Sequence, residues 1–215
     1  MKTLTVSQHT VNQIRGEIVS GTLKPGTKLR EHDLSVRLSV STAPIREALR
    51  VLQNEYLVKA IPRKGAFVTE ISIEDCHQIN EVRKMIECSS VELLKKRNIT
   101  DIPHETETMI LGHEILPADA PKEMKNSVGL SAFHFKLVEL SGNEWLFRLY
   151  KSIASAIVRY QFISYVPGMT MQIGVEHHMI LDLIRKGRYD EAREMLSNHI
   201  QSNFEIIVNN IIKKM

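Results

Sequence analysis

The 215-residue chain is poor in cysteine, with two, and in aromatic residues, at 6% with a single tryptophan. Cys76 and Cys88 stand twelve positions apart, which suits neither a disulfide framework nor a CxxC redox pair. No apolar run approaches the ~18 residues that span a bilayer. The first residues, through His9, lack the apolar stretch of a secretion signal. These absences predict a reduced, cytoplasmic protein with no membrane partner. Hydrophobic residues at 43% and charged residues at 25% exclude a disordered tail or a collagen-like fibre. The length suits one large domain or two small ones.

Charge is unevenly spread. Residues 1–72 carry eleven Lys or Arg against six Asp or Glu, a balance of +5, while residues 73–215 carry seventeen against nineteen. A basic front and a slightly acidic back predict that only the front meets a polyanion. Histidine runs the other way, with seven of nine beyond residue 75. Two chemistries are expected, divided between residues 72 and 73.

Apolar residues at Val6, Val11, Ile14, Ile18 and Val19 recur at helical spacing and predict a helix over 6–20. Gly21 and Pro25-Gly26 end it. Leu34 and Leu38 mark a short second helix over 31–38, and the chain turns through Ser39-Val40-Ser41 into a third. Ser41 or Thr42 can cap that helix, and Pro44 falls in its first turn, where a missing N–H costs little. Ile45, Ala48, Leu49 and Leu52 form its inner face, with Arg46, Arg50 and Gln53 outside. Two short helices joined by about three residues form a helix-turn-helix, whose second helix enters the major groove. Ser41, Thr42, Ala43 and Arg46 lead that helix and are candidate base readers; Arg50 follows on the same face. Apolar segments at 57–61 and 66–69 flank Pro62-Arg63-Lys64-Gly65. They predict a β-hairpin wing whose basic tip, Arg63 and Lys64 with Gly65, lies beside phosphates or in the minor groove. The competing readings are an ion pair of Arg46 with Glu31 or Glu47 and, for the whole segment, a protein-binding winged helix with a solvated basic face.

The stretch Gly21-Thr22-Leu23-Lys24-Pro25-Gly26-Thr27-Lys28-Leu29-Arg30-Glu31, the block from Val40 to Leu52, and Lys64-Gly65-Ala66-Phe67-Val68 together resemble the GntR family of bacterial transcription regulators. The resemblance covers roughly residues 10–70 and implies a winged helix that binds operator DNA as a dimer. It adds His32, at a position that often carries a DNA-contacting arginine. The chain departs from the family at Ser39, where glycine is usual, and at Thr42-Ala43, where Arg-Thr is usual.

Behind Ile71 the strand pattern stops. Apolar spacing from Ile73 through Leu94 predicts a long helix, and others are expected at about 126–140, 144–163, 171–186 and 189–213. Pro103, Pro117 and Pro121 divide the intervening segment. The expected fold is mostly α: an N-terminal winged helix-turn-helix with a small hairpin over 1–72, then an all-α bundle over 73–215. His134, His177 and His199 fall on the inner faces of three different helices. Converging imidazoles can form a first-row metal site with positions left open; a single inward histidine is more commonly a hydrogen-bonded core residue. Spacing alone leaves both readings standing. His178, turned about 100° from His177, should face solvent. Tyr160, Tyr165, Met169 and Met171 read as core or cavity lining.

Phe133-His134 followed by Ser141-Gly142-Asn143, then Glu176-His177 with Ile180, then Asp190, Ala192 and Asn198-His199, resembles the FCD effector domain of the largest GntR subgroup. The resemblance implies a divalent metal (Zn, Ni or Mn) on the three histidines, helping to hold a small carboxylate. The family's aspartate would stand four residues before His134. Leu130 occupies that position and supplies neither charge nor direction, so a three-histidine site and a degenerate one both stand open. Arg83 and Glu87 match the Arg-x-x-x-Glu of the domain's first helix, where the arginine often faces the effector. The alternative there is a plain i,i+4 pair worth about 0.2–0.5 kcal/mol. Asn143 is a further candidate effector contact, its alternative being a helix cap.

The leading reading is a transcription regulator, a repressor, that binds a pseudo-palindromic operator as a homodimer and responds to a small organic acid. The competing class is a metal-dependent hydrolase or isomerase with a nucleic-acid-binding accessory, which three histidines permit. Against it, the chain has no HExxH helix and no Ser or Cys nucleophile motif, so an enzyme is not expected. A third reading is a DNA-binding structural protein whose back end only dimerises.

Overall fold

Thr5 starts the first helix with a reciprocal cap. Its hydroxyl accepts from the Gln8 amide while the Gln8 side chain accepts from the Thr5 amide, satisfying two donors that the helix itself cannot. The computed structural model describes residues 5–102, 131–164 and 170–214. Helix α1 runs Val6–Val19, α2 Glu31–Leu38 and α3 Thr42–Asn54. Ser39 links α2 to α3 in the left-handed conformation, at φ 53°. That backbone state explains why glycine is the usual residue in such a turn, and why serine there stores strain.

Strands β2 (Val58–Ile61) and β3 (Gly65–Val68) pair antiparallel, from Val58 opposite Val68 to Ile61 opposite Gly65. A third strand, β1 (Lys28–Leu29), pairs with the other edge of β3, giving the order β1-β3-β2. The expected hairpin is therefore part of a three-stranded sheet. A two-residue strand has no alternation for sequence periodicity to detect. Behind this sheet, Ile14, Ile18, Ile45, Leu52 and Leu57 lie fully buried in one apolar cluster with Leu29, Leu34 and Val68.

The rest of the described chain is helical: α4 Ile73–Lys96, α5 Ser131–Leu140, α6 Glu144–Ser164, α7 Thr170–Arg185 and α8 Tyr189–Lys214. Ser72 caps α4 by accepting from the Asp75 amide. Glu74 and Asp75 in its first turn and Lys95 and Lys96 in its last complement the helix dipole. Val91, Leu94, Leu137, Ile180, Ile184, Leu196 and Ile200 interlock α4, α5, α7 and α8. Tyr160 is buried against Cys76, Phe204 and Ile211, as expected of a core residue. The expected start of the 126–140 helix, Leu130, the prolines at 103, 117 and 121, Tyr165, Met169 and the Met171 side chain lie outside the described residues. Among the described residues, no helix is long and apolar enough to cross a membrane.

The winged helix and the bundle meet along α6. Arg15 donates to both oxygens of Glu55, at 2.7 Å from Nε and 2.6 Å from Nη2, and the Ser155 hydroxyl donates to the same carboxylate at 2.7 Å. One turn further along α6, Arg159 donates to the Thr69 hydroxyl at 2.7 Å and the Thr69 carbonyl at 2.9 Å. Tyr160 then donates to the Ser72 carbonyl at 3.1 Å. Val158 and Phe162, on the same helix, join the winged-helix core. Apolar contact around these bonds excludes water and strengthens each of them.

Arg15 and Glu55 are only 12% and 14% exposed, so removing the carboxylate strands a partly buried cation. Glu55→Ala should lower unfolding free energy by about 2 kcal/mol in urea denaturation. A change within about 0.5 kcal/mol, the range of ordinary surface substitutions, would show that the contact along α6 holds nothing together.

Candidate functional site

Helix α3 begins with a terminus suited to an anion. Its N-cap Ser41 makes no side-chain capping bond, and its first turn holds no acidic residue, so the leading amides and the hydroxyl face outward unneutralised. Ser41, Thr42, Ala43, Arg46 and Arg50 are all exposed, as are His32 on α2 and Arg63, Lys64 and Gly65 at the β2–β3 turn. Arg63 holds φ 63° and Gly65 φ 102°; the tip is bent by its backbone, and Gly65 adopts a state that side chains disfavour. Arg46 pairs with Glu31 at 2.6 Å, the two side chains 64% and 41% exposed. Such a pair is weak and readily exchanged for another anion. Glu47, the other expected partner, accepts instead from the Ser7 hydroxyl.

In the bundle, α5, α7 and α8 bring His134, His177 and His199 together, each at most 5% exposed, with potential ligand atoms within 4.8 Å of one another. Their Nε2 atoms converge: His177 to His199 is 3.0 Å and His199 to His134 is 3.3 Å. The ring of Phe133 stacks on His177 with centroids 4.0 Å apart. Behind the rings stand two carboxylates. Glu87 Oε2 lies 2.6 Å from His134 Nδ1, and Glu176 Oε2 lies 2.6 Å from His199 Nδ1. An ionised carboxylate only accepts, so both imidazoles carry their proton on Nδ1.

The protonation state follows from burial. Desolvation brings the His134 pKa down to about 3, against the pull of Glu87. It also drives His177 well below its ordinary value, reinforced by His134, and lowers His199. Burial works against the charge of Glu87 too, but His134 and Arg83 outweigh it and bring its pKa down to about 2. At neutral pH three uncharged rings thus present three Nε2 atoms with at most one ring proton among them. One neighbouring donor, the Asn203 amide, stands 3.2 Å from His199 Nε2. Lone pairs crowded this closely in a dry site are suited to a cation, and the carboxylate–histidine arrangement behind them is that of metal-binding imidazoles.

Arg83 donates to Glu87 Oε1 at 2.7 Å, as the i,i+4 alternative expects, but the pair is 4% and 0% exposed rather than superficial. The Tyr150 hydroxyl of α6 donates to the same oxygen at 3.0 Å. Asn143 uses its side-chain oxygen to accept from the Leu146 amide at 3.2 Å, capping α6. His178 is exposed, as expected. The sequence reading missed Tyr150 and the supporting roles of Glu87 and Glu176; only the adjacency of Glu176 to His177 hinted at the last.

Comparison with known proteins adds to this geometry. The family of bacterial regulatory proteins called gntR matches residues 6–68, and the FCD domain matches residues 78–202. The Nta operon transcriptional regulator of Aminobacter aminovorans is 30% identical over 194 residues, covering 88% of this chain and 89% of that protein. The HTH-type transcriptional repressor RspR of Escherichia coli K12 is 23% identical, covering 94% and 89%. A solved structure from Rhodococcus sp. RHA1, described as a GntR transcriptional regulator, superposes with a TM-score of 0.71 at 20% identity, covering 94% of this chain and 97% of that one.

Neutral buried histidines make stability depend on pH in a defined direction. Below about pH 6.5 the unfolded chain takes up protons that the folded rings refuse until far lower pH, about 3 for His134. The stabilisation is therefore complete above that point and lost as pH falls. For the metal-free protein, unfolding free energy should drop between pH 6.5 and pH 5 by roughly 1.4 kcal/mol per pH unit for His134, whose pKa lies far below that window, with His177 and His199 adding in the same direction. Replacing both His177 and His199 by Gln should flatten the slope in urea titrations, and an unaltered slope would mean the rings are charged in the fold.

Proposed function

The chain belongs to the gntR family of bacterial regulatory proteins as a transcriptional regulator with an FCD effector domain, not an enzyme, and from that premise we propose that it is a metal-assisted, metabolite-responsive repressor. It acts as a homodimer on a pseudo-palindromic operator. Residues 1–72 read DNA, and residues 73–215 dimerise and sense. The observation that carries the sensing half is the convergence of three uncharged Nε2 atoms, two of them backed by Glu87 and Glu176.

On the DNA side, the α3 terminus carries Ser41, Thr42 and Ala43 to base edges, with Arg46 beside them. Arg50, His32, Arg63, Lys64 and the Gly65 turn follow the phosphates. Arg46 leaves Glu31 for DNA at little cost because that pair is exposed. The repressor assignment draws on a relative that is itself a transcriptional repressor. Exposed apolar side chains on α4 (Val82, Met85) and α6 (Trp145, Leu149) supply surface for a second copy to cover.

On the sensing side, His134, His177 and His199 would hold a divalent ion through Nε2. Imidazole ligands favour Zn or Ni over Mn. When bound, such an ion has coordination positions left for a carboxylate oxygen, which it polarises and fixes in direction. Arg83 is the second anion-recognising group, and Asn143 an outer contact beyond its capping role. The signal travels along α6, which touches Glu87 through Tyr150 and the winged helix through Ser155 and Arg159. A ligand that favours one tilt of this helix by ~1–3 kcal/mol would change operator affinity roughly 5–150-fold.

Two measurements test the proposal. Elemental analysis should find about one Zn or Ni per chain, lost in His177→Ala; a metal-free wild type would leave the cluster a structural core. On a DNA fragment selected by the wild-type protein from a random pool, Arg46→Ala and Arg50→Ala should each weaken binding by about tenfold or more and reduce its salt dependence, with thermal stability unchanged. Wild-type affinity in both variants would move DNA recognition away from α3.

A further inference from the structure

The face of α6 that meets the winged helix is a single stripe. Ser155, Val158, Arg159 and Phe162 stand at i, i+3, i+4 and i+7, one side of a helix. Ser155 bonds to Glu55 and Arg159 to Thr69, while Val158 and Phe162 join the core cluster of Ile14, Ile18, Leu52 and Leu57. Glu55 is the C-cap of α3, so the helix that leads into DNA is itself tied to α6 at its far end. The connector between β3 and α4, residues 69–72, is fastened as well. Thr69 donates from its amide to the Leu57 carbonyl at 3.0 Å and holds Arg159. Ile71 packs on the cluster of Tyr160 and Phe204, and Ser72 caps α4 while accepting from Tyr160. Domains in one chain move against each other by default, but a hinge needs residues free to change φ and ψ.

We propose that Ser155, Val158, Arg159 and Phe162 are spacing-determining residues, which fix the winged helix on α6 so that the dimer reads half-sites at one separation only. The inference deepens the reading of a homodimer on a two-part operator and rests on it. Helix α3 has 13 residues, and at 1.5 Å per residue its reading end lies about 20 Å from the seam at Glu55. A tilt of about 10° at the seam moves that end by about 3.4 Å, the rise of one base pair. One added pair also turns the second half-site by about 35° around the duplex, since a full turn holds roughly 10–10.5 pairs. A free connector could follow both changes. A winged helix whose core is completed by α6 follows neither without uncovering Val158 and breaking the bonds from Ser155 and Arg159. Spacing is thus read with no base contact, by the orientation of α6.

The experiment measures binding of the full-length protein to the operator selected from a random pool, to versions with one base pair added or removed at its centre, and to a single half-site. Wild type should lose at least about tenfold in affinity on either spacing change, the scale of a mismatched position. Arg159→Met exchanges a buried charge for an apolar group of like volume, which interiors tolerate. That variant, and more so Arg159→Met combined with Phe162→Ala, should bind all three spacings within about threefold of one another, as flexibly linked modules do. Affinity for the single half-site should stay as in wild type. Variants that keep the wild-type preference would overturn the role of the stripe. A variant that loses half-site binding has lost its winged helix, and the wild-type series then decides alone: equal affinity at all three spacings would overturn the inference. A wild type that binds one half-site as tightly as the pair would instead remove the dimeric reading, and the spacing claim with it.

Discussion

A carboxylate with no contact to water must have its charge met, and the bundle meets that of Glu87 from three helices. Arg83 supplies a guanidinium from its own helix α4, His134 an N–H from α5, and Tyr150 a hydroxyl from α6. Each donor is individually replaceable in the sense of geometry, but none is in the sense of energy. An unmatched buried charge costs several kcal/mol, so the three helices are held in one relative arrangement. That arrangement also decides chemistry. Because Glu87 only accepts, His134 must put its proton outward and its lone pair inward. The cluster with His177 and His199 is then electron-rich rather than self-satisfied.

The contact between the bundle and the winged helix is built with less compensation. Arg159 is 3% exposed and bonds to a hydroxyl and a carbonyl rather than to a carboxylate. Its Nε has no hydrogen-bond partner among the described residues, and burial lowers its pKa. Incompletely satisfied polar groups mark places where a structure gives way first. Helix α6 is thus anchored at one end by Tyr150 on the Glu87 network and at the other by Arg159 on Thr69, where one buried donor is left without a partner among the described residues.

Much of the fold was legible because its periodicities are local. The inner face of α3, Ile45 with Ala48, Leu49 and Leu52, is buried as the spacing predicts, and three of the bundle helices start and end within a few residues of their expected limits. The third strand escaped because Lys28–Leu29 is too short to show a period. The histidines were legible as inward residues, yet their convergence was not: it depends on how α5, α7 and α8 cross, which sequence spacing does not contain. The Arg83–Glu87 spacing left an effector-facing arginine and a weak i,i+4 pair equally open, since burial of both partners is a tertiary fact. The link from Glu55 to Ser155 spans a hundred positions, beyond any local pattern, and Leu130 lies outside the described residues.

The ion pairs of this molecule run from solvent-exposed to fully buried, and exposed pairs occur in the winged helix and the bundle alike. Where DNA would approach, pairs such as Arg46–Glu31 and Arg30–Asp33 stand in solvent. Water screens them, so they add little to stability and can be exchanged for phosphate at almost no loss. Inside the bundle, Arg83–Glu87 has lost its water already and is not exchangeable. The same residue types therefore serve as exchangeable surface pairs where both partners are exposed and as a fixed frame where both are buried. Burial, more than identity, assigns the role.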